Sequence, residues 1–205
     1  MPDTVRLIPR AALNGIATGL CLMSFFTLVW TGIAYGGLHS GGYWALLLIF
    51  PAFCIAFIVN AIRLFRSAKY FPEITSPEDI ARKKKSGMWF GIIFGAEGLG
   101  IFIAINIVVN LGHPELTVPV MALVVGLHFF PLARLFRRTI DYYLASYSTL
   151  LAIAAILLGY EKIFNQNETI AFTGVVMAIA TAAYGVYMLL AGRKAMSALR
   201  NNSGN

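Results

Sequence analysis

Six long apolar segments divide this 205-residue chain and decide what it can fold into. Each is close to the ~20 residues that an α-helix needs to cross ~30 Å of hydrocarbon. None shows the alternation of apolar and polar residues that a membrane β-barrel requires. The sequence therefore predicts an all-α polytopic membrane protein whose six transmembrane helices cover residues 11–35, 43–62, 88–111, 116–133, 143–160 and 170–191.

Composition supports a membrane rather than an aqueous setting. Hydrophobic residues make up 59% of the chain and charged residues 12%, which is too little polar surface for a water-soluble domain of this size. We expect a single transmembrane domain over residues 1–205, in contact with the lipid bilayer. Short connections on one side predict three antiparallel hairpins at about 11–66, 87–138 and 140–194, with a longer loop at 63–87.

The basic residues give the expected orientation. Fifteen of the 16 lysines and arginines fall at the chain ends or in the second and fourth connections, and only Lys162 lies on the other side. The positive-inside rule then places both the N- and C-termini in the cytoplasm. Membrane insertion also accounts for the net charge of +7, so the charge does not call for a nucleic-acid partner.

The longer loop contains a helix start signal followed by a run of positive charge. Ser76 suits an N-cap and Pro77 the first helical position, so a surface helix is expected to lead into the third span. The basic run should be attracted to anionic lipid headgroups by about 1 kcal/mol per charge, with a protein docking site as the alternative. The run consists of Arg82, Lys83, Lys84 and Lys85.

Glu97 lies near the middle of the third span, where an ionisable group costs about 2.5 to 3.5 kcal/mol and needs a reason. Gly91, Gly95 and Gly98 form a stripe that predicts a groove for close approach of another helix. At 100° per residue, Glu97 points about 120° away from that stripe, towards a different neighbour or a cavity. Glu97 is either a functional group or a neutral carboxyl that holds two helices together.

His128 lies in the inner half of the fourth span. Pro131 follows it and lacks an N–H, so the carbonyl of Leu127 loses its usual partner and the helix tends to kink. Such a segment could form one wall of a polar pocket. The alternative is a histidine that hydrogen-bonds to a neighbouring helix.

Asp141 opens the fifth helix, where an acid suits the helix N-terminus and is expected to pair with Arg137 or Arg138. Glu97, His128 and Asp141 then form a series that descends from the midplane to the inner surface. This order is typical of a substrate or proton path. The sequence leaves open whether the three share one interior.

The run Gly126–Ala133 resembles a motif of small bacterial multi-pass membrane proteins whose biochemistry is unassigned. The resemblance covers eight residues. It implies a bacterial inner (plasma) membrane protein in which His128 is a family feature, and it implies no activity.

The first two predicted hairpins share features that indicate a parallel two-helix repeat. Each ends in Arg-Leu-Phe-Arg, at 63–66 and 134–137, and each carries a histidine at its outer turn, His39 or His113. The alternative is that the positive-inside rule alone produced the basic ends. The outer histidines are too far from His128 to share a metal ion with it, and no nucleotide, dinucleotide or hydrolase motif is present, so we expect no metal and no cofactor.

Three functions fit these residues. The first is transport of a small solute or ion, with Glu97 at a midplane site and His128 assisting. The second is a non-catalytic membrane subunit or scaffold, which is compatible with a homo-oligomer. The third is an intramembrane lipid-modifying enzyme, which we rank last because an enzyme needs more convergent groups than one pair.

Overall fold

The computed structural model describes residues 7–38 and 48–203, and the predicted outer-turn residue His39 lies outside them. No β-strand occurs in the described residues. Two short 3-10 turns, Ala68–Tyr70 and Pro114–Leu116, accompany the α-helices. The helices are α1 (Arg10–Leu38), α2 (Ile49–Ser67), α3 (Pro77–Asn110), α4 (Thr117–Phe136), α5 (Thr139–Tyr160) and α6 (Gln166–Ser203).

All six helices are long and apolar enough to cross a membrane. The predicted all-α fold with six membrane-spanning helices is therefore confirmed, and the chain is a multi-pass membrane protein. Its spanning helices imply contact with a lipid bilayer.

α6 is the central helix of the bundle and contacts α1, α2, α4 and α5. Its contact with α1 is the most extensive in the fold, and Gly174 makes it so close that an added Cβ would lie 2.5 Å from the backbone nitrogen of Ala34. Farther along, the Thr27 hydroxyl donates to that of Thr181 at 2.9 Å, and both side chains are buried. Small residues thus let α1 and α6 approach as closely as membrane helices do.

The remaining contacts are consistent with the three predicted hairpins. α1 packs on α2, α3 on α4, and α5 on α6. α4 also packs closely on α5, where a Cβ on Gly126 would lie 2.8 Å from the backbone nitrogen of Thr149.

α3 begins as the sequence predicts and runs without a break from the surface into the membrane. Ser76 occupies the N-cap with an extended backbone and Pro77 follows it, although the serine side chain makes no capping hydrogen bond. Because the helix is 34 residues long, its first three turns precede the predicted span.

α3 is also the peripheral helix, since α4 and the adjoining turn Pro114–Leu116 are its only neighbours among the described elements. No atom of the described residues lies within 4 Å of a Cβ added at Gly91, Gly95 or Gly98. No helix among the described residues fills the predicted glycine groove. α3 instead packs through the face that carries Glu97, its one buried residue.

Candidate functional site

Glu97 and His128 meet at the interface between α3 and α4. The Oε1 atom of Glu97 lies 3.3 Å from Nδ1 of His128, and the two side chains are 8% and 9% exposed. The burial follows from the helical geometry, since Glu97 points away from the glycine stripe that faces outwards. The structure therefore brings together the two residues that the sequence singled out within the spans.

The hydrogen bonds of His128 indicate where its ring proton lies. Nδ1 contacts the backbone carbonyl of Val125 as well as Glu97. A carbonyl oxygen only accepts, so Nδ1 must carry the hydrogen, which it donates to Val125, while the Glu97 carboxyl makes a close polar contact with the same nitrogen. In the neutral ring, Nε2 is then the nitrogen that can accept a proton.

Pro131 does not end the helix that carries His128. It lies inside α4, which remains α-helical from Thr117 to Phe136. The imidazole contacts the carbonyl of Val125 and not that of Leu127, the carbonyl that Pro131 leaves without its helical partner. The wall of the site is therefore a continuous helix.

Glu97 and His128 line a cavity of about 600 Å³ between α1, α3, α4 and α6, here called the central cavity. The cavity extends from Ala11 and Lys83 at one end to Trp30 and Ile101 beyond the midplane. Most of its lining side chains are apolar. Its other polar lining residues include Asn14, Thr18, Ser86, Arg138, Thr181 and Tyr184.

Asn14 is a wall residue that the sequence did not single out. Its side-chain oxygen is buried and has no hydrogen-bond partner in the part of the chain that the structure describes. Thr18, one helical turn later, lines the same cavity. The signal in the sequence was this pair of polar residues one turn apart on α1, flanked by Gly15 and Gly19.

The side of the central cavity between α1 and α3 is closed by aromatic rings rather than by helix packing, because these two helices do not pack against each other. The rings of Phe26 and Phe94 lie 6.2 Å apart across the gap. Phe90 stacks on Phe94 at 5.7 Å and lies 6.1 Å from Phe136. A solute in the bilayer could reach Glu97 and His128 by displacing these side chains.

Asp141 lies outside the central cavity. It is 1% exposed, and its carboxylate lies next to the Tyr184 hydroxyl. The predicted ion pair with Arg137 or Arg138 is not formed among the described residues, since Arg138 donates to the Tyr184 hydroxyl at 3.2 Å. Of the predicted descending series, Glu97 and His128 therefore line the cavity, whereas Asp141 lies outside it, next to Tyr184.

The basic run Arg82–Lys85 is fully exposed on the first turns of α3, and Lys83 also lines the mouth of the central cavity. A second pair, His113 and Glu115, is 3.0 Å apart at the other end of the bundle and does not line the cavity. Among the described residues, no three His, Cys, Asp or Glu side chains are grouped as metal ligands.

The site thus consists of one buried carboxyl–imidazole pair and one unpartnered amide oxygen in a mainly apolar cavity between four helices. Comparison of the chain with protein-family models, with curated proteins and with solved structures gives no match.

Proposed function

We propose that this protein binds a small, largely apolar solute in the central cavity and transports it across the membrane in exchange for a proton held by the Glu97–His128 pair. The observation that carries the proposal is the 3.3 Å contact between these two side chains in the wall of the cavity. A bacterial inner membrane is the setting that we propose for it.

The lining of the cavity defines the class of solute. Apolar side chains predominate, so most of the solute surface must be apolar as well. The Glu97 carboxyl is an acceptor in the wall of this space, and the Asn14 side chain lines it as well. The solute should therefore carry a cationic or hydrogen-bond-donating group.

The position of Glu97 supports exchange rather than simple binding. An ionised carboxylate surrounded by hydrocarbon is costly, and either a proton or a cation lowers that cost. When a cationic solute binds to the carboxylate, the proton of the carboxyl is released, and rebinding of a proton displaces the solute. His128 can take up that proton at Nε2 or stabilise the carboxylate through Nδ1–H.

Tetraphenylphosphonium and tetraphenylborate test this directly, because the two ions share one shape and have opposite charges. We expect the purified protein in weakly buffered detergent to bind the cation with release of a proton, and E97Q to lose both effects. E115Q is the matched control, since Glu115 also contacts a histidine but lies outside the cavity. Equal binding of the cation by E97Q and the unmodified protein, or preference for the anion, would contradict the proposal.

Transport is tested in vesicles with the same probe. Because this lipophilic cation also crosses lipid bilayers unaided, the readout is proton movement: addition of the cation should drive faster proton release from proteoliposomes than from protein-free vesicles, and vesicles with E97Q should behave as protein-free vesicles do. Binding without exchange would restrict the protein to a binding role.

A second candidate, a non-catalytic membrane subunit, is favoured by the open glycine stripe of α3. No described atom covers Gly91, Gly95 or Gly98, so a second copy or another subunit could pack there. Leucine at Gly95 should then disrupt the assembly, while leucine at Gly32 of α1, which is equally uncovered, should not. The mass of the protein measured by light scattering in detergent distinguishes these outcomes.

A further inference from the structure

A second concave surface lies between α2 and α6, far along the sequence from Glu97 and His128. It is a pocket of about 330 Å³, here called the arginine pocket. Three arginines line it, Arg63 from α2 and Arg193 and Arg200 from α6, together with the polar side chains of Asn60 and Ser197. None of its lining residues is acidic.

A close contact between α2 and α6 brings together the backbones that carry Arg63 and Arg193. A Cβ on Gly192 would lie 2.8 Å from the Leu64 side chain, so α2 and α6 pack closely at these residues. Arg63 precedes Leu64 and Arg193 follows Gly192 in the sequence, so both cationic groups flank the contact. Arg200 lies seven residues after Arg193, on the same face of α6.

The positive charges of Arg63 and Arg193 are not neutralised by an ion pair within the described protein. By contrast, Arg10 is paired with Glu73 at the same end of the bundle. Membrane insertion explains why arginines occur at this end, but not why those of two helices converge on one concave surface.

Apolar surface lies beside the charges. Leu64 and Leu189 form part of the pocket lining. Phe65 and Leu190, which follow them in the sequence, are 44% and 57% exposed. The pocket therefore combines a cationic recess with the exposed hydrocarbon-facing surface of two membrane helices.

We propose that the arginine pocket binds the phosphodiester headgroup of an anionic phospholipid, with the acyl chains lying against α2 and α6. Guanidinium groups match phosphate oxygens in a bidentate geometry, and basic recesses between transmembrane helices suit such headgroups. The site is separate from the central cavity and does not depend on the proposed transport function.

Native mass spectrometry of the delipidated, full-length protein in detergent tests the proposal. We expect one phosphatidylglycerol to be retained at concentrations where phosphatidylcholine, which has a phosphate but no net charge, is lost. In R63Q/R193Q/R200Q the affinity for phosphatidylglycerol should fall about tenfold or more. The matched control R82Q/K84Q/K85Q removes three positive charges from the same end of the bundle, and it should keep the affinity of the unmodified protein.

Two single variants show whether a loss of binding in the triple variant reflects misfolding. R63Q and R193Q each remove one charge and should each weaken binding in part, with circular dichroism used to check the helical content. Inorganic phosphate is tested as a second ligand. If phosphate stabilises the protein against unfolding and phosphatidylglycerol does not, the pocket binds a free anion, which would contradict a lipid site. An equal loss of phosphatidylglycerol in the pocket variant and the control variant would also overturn the proposal.

Discussion

Glu97 and His128 show how much can be inferred about individual residues from the sequence alone. The free-energy cost of placing an ionisable group in hydrocarbon was sufficient to select both residues from the sequence. The angular position of Glu97 correctly indicated that it faces away from the glycine stripe, and the structure buries it against α4. The contact between the two could not be predicted, because it depends on how α3 and α4 are aligned and rotated against each other. Asn14 was overlooked because an amide is a mild polar group, and only the cavity around it makes its unpartnered oxygen informative.

The Glu97–His128 contact should be measurable as a coupling free energy. A double-mutant cycle with E97Q and H128L should give about 0.5 to 2 kcal/mol, since polar interactions between transmembrane helices have this magnitude. The free energy of unfolding in nanodiscs, obtained by steric trapping, is the quantity to compare. The corresponding cycle for His113 and Glu115, which are 39% and 31% exposed, should give a smaller coupling. Additive effects of E97Q and H128L would mean that the two side chains do not interact.

Among the α-helices of this bundle, α3 packs against the fewest others and α6 against the most. α6 carries small residues and spaced threonines, and it contacts four other helices at the centre of the bundle. α3 carries glycines at helical spacing, but its glycine face is open. A small-residue stripe thus predicts that close approach is permitted, whereas the partner that approaches is decided by the rest of the fold.

Glycine to alanine substitutions on these two helices should separate packed from open faces. G174A should lower the free energy of unfolding by about 1 to 3 kcal/mol, because its Cβ would meet the backbone of Ala34. G98A makes the same chemical change where no described atom is within 4 Å, so it should leave stability unchanged or raise it by up to about 1 kcal/mol. Equal effects of the two variants would contradict the close α1–α6 packing.

At the scale of the whole molecule, six helices long enough to span the membrane account for the chain's hydropathy pattern. Their number and approximate bounds could be predicted because each is a long, uninterrupted apolar run. The central cavity could not be predicted, because it exists only where α1 and α3 fail to pack. The parallel two-helix repeat stays a prediction, since one of its marker residues, His39, lies outside the described residues.

Orientation in the membrane also stays a prediction, and reporter fusions check it. Because six spans return the chain to its starting side, a fluorescent protein fused to the C-terminus should fold and fluoresce in the cytoplasm. Alkaline phosphatase inserted between Tyr160 and Gln166, in the connection that carries Lys162, should be active outside it. The reverse pattern would place the basic ends of the helices on the outer side.

The most direct test of the central claim is an infrared difference spectrum of the reconstituted protein, recorded on addition of tetraphenylphosphonium. The account predicts that the band of a protonated carboxyl disappears and a carboxylate band grows, and that both changes are absent in E97Q and present in E115Q. A spectrum without carboxyl bands, or one that E97Q leaves unchanged, would show that Glu97 does not exchange its proton for a bound cation.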